Sequence, residues 1–162
     1  MGSAHHRRGR QRRGGERVEG VHRRVFSEAA FASRSRIAAI DASTGAATSW
    51  NPTVDDAGGW VNTLVVSGNT IYAGGGFTSI GGQSRSNVAA LDAGTGLATA
   101  WDPSPNGPLR AVALSGATVY IGGDFTSVGG QSRDNLAALD ATSGLASAWN
   151  PILRGGPRGC WR

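Results

Sequence analysis

One twenty-residue stretch occurs three times in this chain and constrains its fold more than any other feature. It runs SRSRIAAIDASTGAATSWNP from Ser33 to Pro52, SRSNVAALDAGTGLATAWDP from Ser84 to Pro103 and SRDNLAALDATSGLASAWNP from Ser132 to Pro151. A second block alternates with it, VSGNTIYAGGGFTSIGGQ from Val66 to Gln83 and LSGATVYIGGDFTSVGGQ from Leu114 to Gln131. Repetition of this kind reports architecture: each unit buries its apolar surface against the next.

The marker tryptophans Trp50, Trp101 and Trp149 lie 51 and 48 residues apart. That period fits four-stranded propeller blades and is too long for leucine-rich or ankyrin repeats. The difference falls after the Trp-x-Pro, where Thr53 to Trp60 is longer than Ser104 to Pro108, and length variation at one place in a repeat marks a surface loop. Within each unit the pattern predicts four short strands and no helix. In the middle unit they are Val61–Val66, Thr70–Gly74, Val88–Asp92 and Leu97–Trp101; in the next they are Leu109–Leu114, Thr118–Gly122, Leu136–Asp140 and Leu145–Trp149. Ser67-Gly68-Asn69 and Ser115-Gly116-Ala117 are predicted hairpin turns, because glycine accepts the positive φ they require. In Asp92-Ala93-Gly94-Thr95-Gly96 the leading carboxylate is expected to bond the backbone of its own turn and Gly96 to take the left-handed position. Proline after Asn or Asp ends the last strand. Tyr72, Phe77, Tyr120 and Phe125 read as core between blades stacked face to face.

The expected fold is therefore all-β, with propeller-type blades over residues 26–52 (partial), 53–103 and 104–151, between Arg-rich disordered segments at 1–25 and 152–162. Whole-chain charge misleads about partners. The formal net charge of +5 comes from sixteen Arg and no Lys, thirteen of those Arg lying in residues 1–36 and 152–162. Residues 37–151 hold three Arg against eight Asp, so a basic, nucleic-acid-binding reading rests on the ends alone. The Arg-Gly run from Arg7 to Arg17 is the candidate RNA-binding tail, but it lacks the interleaved aromatics of stacking recognition. No run approaches the ~18 apolar residues of a membrane span, and the Arg-rich start has no apolar signal core.

The body is also poor in reactive chemistry. Residues 37–151 contain no His, Cys, Lys, Glu or Met, which removes the usual general bases, soft metal ligands and amine or thiol nucleophiles. The single Cys160 forms no intrachain disulfide. Asp41, Asp92 and Asp140 are weighed as calcium ligands, but each turn offers one carboxylate, so turn capping is the expectation. The Asp55-Asp56 pair is expected in a solvated loop. Gly74-Gly75-Gly76 and Gly122-Gly123 lack the Lys and the helix of a phosphate cradle, and tight strand packing or a bend explains them better. Arg34, Arg85 and Arg133 recur at one repeat position and are expected to pair with an Asp or a carbonyl between blades. No catalytic residue, cofactor or metal ligand is expected.

At Val119-Tyr120-Ile121-Gly122-Gly123-Asp124-Phe125-Thr126 and Leu136-Ala137-Ala138-Leu139-Asp140, and at their counterparts in the preceding unit, the sequence resembles a family of bacterial, often secreted β-propeller repeats called delta-60-like repeats. The resemblance covers about residues 26–151. It implies a scaffold or binding platform inside a larger extracellular or surface protein, with a protein or carbohydrate ligand. A more distant resemblance is to quinoprotein propellers, whose docking motif Ala90-Leu91-Asp92-Ala93-Gly94-Thr95-Gly96 follows, although Trp101 arrives one residue late. That implies the competing reading: part of a quinoprotein-like or carbohydrate-active enzyme whose active site lies in blades outside this chain.

Two full units and a partial third do not close a propeller. The expectation is that further blades exist, or that copies self-associate through exposed blade edges. The ends favour missing blades. Val21 to Phe26 falls where Tyr72 to Phe77 would repeat, and codons for Val-His-Arg-Arg read one base later can encode Tyr-Ile-Gly-Gly, the missing motif. Codons for Cys160-Trp161-Arg162 read one base earlier can encode Leu-Leu-Ala, so the basic ends are expected to be out of frame.

Overall fold

The computed structural model describes residues 28–29, 32–55 and 58–151. The Arg-rich segment 1–25, the start of the first blade at Phe26, Asp56 and the tail 152–162 lie outside the described residues. Among the described residues there is no helix.

Alternation of side chains and two-residue turns produce two three-stranded antiparallel sheets. In the middle repeat β3 (Trp60–Ser67), β4 (Thr70–Gly76) and β7 (Val88–Asp92) lie in the order β3-β4-β7, and in the last repeat β8 (Leu109–Ser115), β9 (Thr118–Gly123) and β12 (Leu136–Asp140) lie in the order β8-β9-β12. The first pair in each sheet is joined as expected, at Gly68 and Gly116, both with φ of +56°. Between the second and third strands sits an element that the four-strand reading did not contain. Ser79–Ile80 (β5) pairs with Gln83–Ser84 (β6), and Ser127–Val128 (β10) with Gln131–Ser132 (β11). The first repeat has the same small hairpin, Glu28–Ala29 (β1) with Ala32–Ser33 (β2).

The fourth strand is shorter than expected. Leu97–Trp101 and Leu145–Trp149 each make only one bridge, Leu91↔Ala98 and Leu139↔Ala146. Flanking bonds from Asp92 N–H to the Leu97 carbonyl (2.9 Å) and from Thr99 N–H to the Ala90 carbonyl (2.8 Å) fix this segment at the sheet edge. Beyond it the chain is committed to placing its tryptophan, which draws the backbone away from the ladder. The first repeat keeps the same bridge, Ile40↔Ala47.

Blades stack face to face, and the period of two assigns the faces. Tyr72, Val88 and Ala90 point to one side of the middle sheet and pack against Val112, Val119, Ile121, Ala137 and Leu139 of the last repeat. Ile71, Ala73, Ala89 and Leu91 point to the other side and pack against Ile37, Ala39 and Trp50 of the first. The core thus lies between repeats. Burial on both faces is why these strands read as almost continuous apolar runs. The glycines beside them are steric: a Cβ on Gly75 would lie 2.0 Å from the Trp60 carbonyl oxygen, and one on Gly123 would lie 2.3 Å from that of Pro108. Of the two uses the sequence suggests for these glycines, a bend or tight strand packing, this close approach is the second.

Candidate binding surface

The Asp turns organise the joints between repeats. Asp92 Oδ1 accepts from Gly94 N–H (3.0 Å), Thr95 N–H (2.7 Å) and Thr95 Oγ1 (2.9 Å), while Gly96 has φ of +77° and donates its N–H to the Asp92 carbonyl. Asp140 repeats this with Thr142 and Ser143, and Asp41 with Ser43 and Thr44. These bonds stabilise the charged form. The Ser43 and Thr44 donors hold the Asp41 carboxyl at about 2, and the donors from Thr95 and Ser143 lower Asp92 and Asp140 in the same way. Each carboxylate caps its own turn, as read from the sequence. Among the described residues no three His, Cys, Asp or Glu side chains come together as a metal site.

The tryptophans lock onto these turns from the preceding repeat. Trp50 Nε1 donates to the Asp92 carbonyl (3.1 Å) and Trp101 Nε1 to that of Asp140 (3.0 Å). Tyr72 stands edge-on to Trp101 at 5.2 Å and donates its hydroxyl to the Ala141 carbonyl (3.1 Å). Arg34, Arg85 and Arg133 do find carbonyls, on Thr48, Thr99 and Ser147, but these lie in the same repeat fourteen residues on. The expected pairing between blades is therefore corrected: the arginines brace each repeat internally, and the tryptophans join the repeats. Arg85 also approaches Asp102 at 3.7 Å within its own unit.

The irregular loops gather at one rim. Asp55 lies there half-buried, its Oδ2 accepting from Thr78 N–H (2.8 Å) and Thr78 Oγ1 (2.5 Å), and those donors hold its pKa below the ordinary carboxylate value. In the next repeat Asn106 takes its place, accepting from Thr126 and Ser127 N–H groups and donating to Thr126 Oγ1. Both loops are tied to the repeat before them, Arg36 Nη1 donating to the Asp55 carbonyl (2.9 Å) and Asn87 Nδ2 to the Pro105 carbonyl (2.9 Å). Arg36, Asn87 and Asn135 share one left-handed conformation, with φ of 65°, 64° and 65°. Beside Asp55 is an open, mostly apolar depression of about 290 Å³ lined by Trp60, Phe77, Thr78, Asn87 and Pro108. The Trp60 indole lies flat over Gly76, where a Cβ would stand 2.4 Å from the ring, and its side chain is half exposed. At this position the last repeat carries Pro108. Reading the sequence missed Trp60, although it breaks the alignment of the two units and is not part of a Trp-x-Pro.

Residues 118–143, from β9 through the Asp140 turn, match a family described as a β-propeller domain of unknown function, DUF5122. These are β-propeller repeats. No curated protein and no solved structure matches the chain. The part of the β-propeller repeat that matches is the one that receives Trp101 from the preceding unit. Among the described residues no helix of these repeats is long and apolar enough to cross a membrane.

Proposed function

We propose that the chain is a non-catalytic segment of a larger bacterial surface or secreted β-propeller, of the delta-60-like kind its sequence resembles, serving as a scaffold or binding platform. The observation that carries this reading is the division of labour within the repeat. Its recurring polar residues are bound up in turns and joints, and its irregular residues Asp55, Trp60 and Pro108 line one open apolar depression. A half-exposed indole beside a shallow apolar hollow suits a sugar ring or an apolar protein side chain, since an aromatic face stacks on either.

The test presents the full chain to arrays of bacterial polysaccharides and surface proteins. The expected result is a ligand bound without chemical change, whose affinity falls at least about tenfold in Trp60→Ala while circular dichroism stays unaltered. Turnover of the bound ligand would overturn the non-catalytic reading in favour of the enzymatic one. Binding indifferent to Trp60→Ala would remove the rim as the contact surface.

A further inference from the structure

Three exposed apolar residues at the two ends of the array, Ile40, Tyr120 and Trp149, sit where neighbouring repeats cover their counterparts inside it. In the middle repeat Tyr72 is 5% and Trp101 4% exposed, because the last repeat lies on them; their counterparts Tyr120 and Trp149 are 37% and 45% exposed. The pair is already arranged for docking: Tyr120 stands edge-on to Trp149 at 5.5 Å, as Tyr72 does to Trp101. The Trp149 indole N–H has no partner among the described residues, whereas those of Trp50 and Trp101 each reach an Asp carbonyl.

The opposite end is bare in a complementary way. Leu91 is fully buried beneath the first repeat, but its counterpart Ile40 is 47% exposed. A Cβ on Gly96 would meet the Pro52 ring at 3.3 Å, and one on Gly144 would meet the Trp101 ring at 3.4 Å; on Gly45 nothing lies within 4 Å. The Asp41 turn is nonetheless built like the other two, with its carbonyl accepting from Gly45 N–H at 2.8 Å as Asp92 accepts from Gly96 at 2.9 Å. It is an intact tryptophan receptor without a tryptophan among the described residues.

We propose that a second copy of this chain docks head to tail, with Trp149 of one copy entering the Asp41–Gly45 turn of the next. Its indole N–H donates to the Asp41 carbonyl, its ring covers Gly45 and Ile40, and the Tyr120 hydroxyl reaches the Ala42 carbonyl as Tyr72 reaches Ala141. The contact repeats the two joints already present in each copy, so it needs no new recognition chemistry. It joins sheet faces, unlike the pairing of open strand edges expected from the sequence. Donor and receptor lie at opposite ends, so the contact is heterologous and yields a ring where the rotation closes or a filament where it does not. The inference is independent of the rim and of any ligand there; within a larger propeller the flanking blades take these same two faces, and it is this chain by itself that a second copy extends.

Sedimentation velocity on the full chain over a concentration series tests it. The wild type is expected to form species whose mass grows with concentration. Trp149→Ala, which breaks the tail, and Ile40→Asp, which breaks the head, are each expected to weaken assembly at least about 30-fold, the scale of losing a buried aromatic anchor. Both positions are half exposed in the single chain, so circular dichroism should be unchanged. Mixing the two variants is the decisive arm, because each retains one working end and the mixture should stop at a dimer. A monomeric wild type would overturn the proposal. So would assembly by Ile40→Asp alone, which indicates tail-to-tail contact, or assembly that survives Trp149→Ala, which places the contact elsewhere.

Discussion

Trp101 and Trp149 occupy the same repeat position in two environments, so one substitution made at both isolates what the joint contributes. In Trp101→Phe the ring remains but the hydrogen bond to the Asp140 carbonyl is lost. That carbonyl still accepts from Gly144 N–H, so no buried acceptor is left bare, and the loss is near the ordinary net value of about 1 kcal/mol. The smaller ring also leaves a gap against Tyr72 and the last repeat. At about 25 cal/mol per Å² this adds several tenths of a kcal/mol or more, for a total of about 1.5–2 kcal/mol. Trp149→Phe removes no bond and little buried area, and should stay within about 0.5 kcal/mol. Urea unfolding followed by circular dichroism, at a concentration where the chain is monomeric, reads both values. Equal losses at the two positions, or no loss at Trp101, would refute the claim that the indole anchors one repeat to the next.

Further outcomes follow from the same geometry. Tyr72→Phe should cost about 1 kcal/mol in the same unfolding assay, by removing the bond to Ala141. Gly75→Ala forces a methyl group onto the Trp60 carbonyl and should cost at least about 1–3 kcal/mol, whereas Gly82→Ser, whose added Cβ has only the Leu97 methyl at 4.0 Å, should be limited to the smaller cost of its positive φ. The turn carboxylates contribute to the acid limb of stability. Their folded pKa values lie below the unfolded value of about 3.9, so the stabilisation is complete above that pH and is lost as pH falls through the folded values, down to about 2 for Asp41. The melting temperature should therefore be flat from neutral pH to about 5 and fall steeply toward about 2. Asp92→Asn, which keeps an acceptor oxygen, should make that fall shallower.

The sequence made the architecture readable wherever one residue type has one physical use. Short apolar runs bounded by turn signals marked the three long strands of each unit, and Gly68 and Gly116 marked the hairpin turns. Asp92 with Gly96 announced a capped turn, because few other pairs supply both the acceptor and the left-handed backbone. The small hairpin around Gly81-Gly82 escaped because two-residue strands carry no period. The fourth strand was overestimated, since Leu97 to Trp101 has strand composition but answers to the tryptophan's distant partner. The arginines show why pairing is harder to read than position: recurrence identified Arg85 as structural, yet only the fold decides whether the nearest carbonyl belongs to its own repeat. Trp60 was illegible for the opposite reason. It occurs once, and a method built on recurrence passes over the single deviation that shapes the rim.

The indoles of Trp50 and Trp101 bond to carbonyls 42 and 39 residues further along the chain. During synthesis at about 5–20 residues per second, each of these tryptophans waits roughly 2–8 s for its partner to be made. A nascent chain therefore always presents one unsatisfied aromatic at its growing end, and finishes each unit only when the following one has been translated. A pause between units would lengthen that exposure, so the spacing of slow codons becomes a property on which such an array's yield depends.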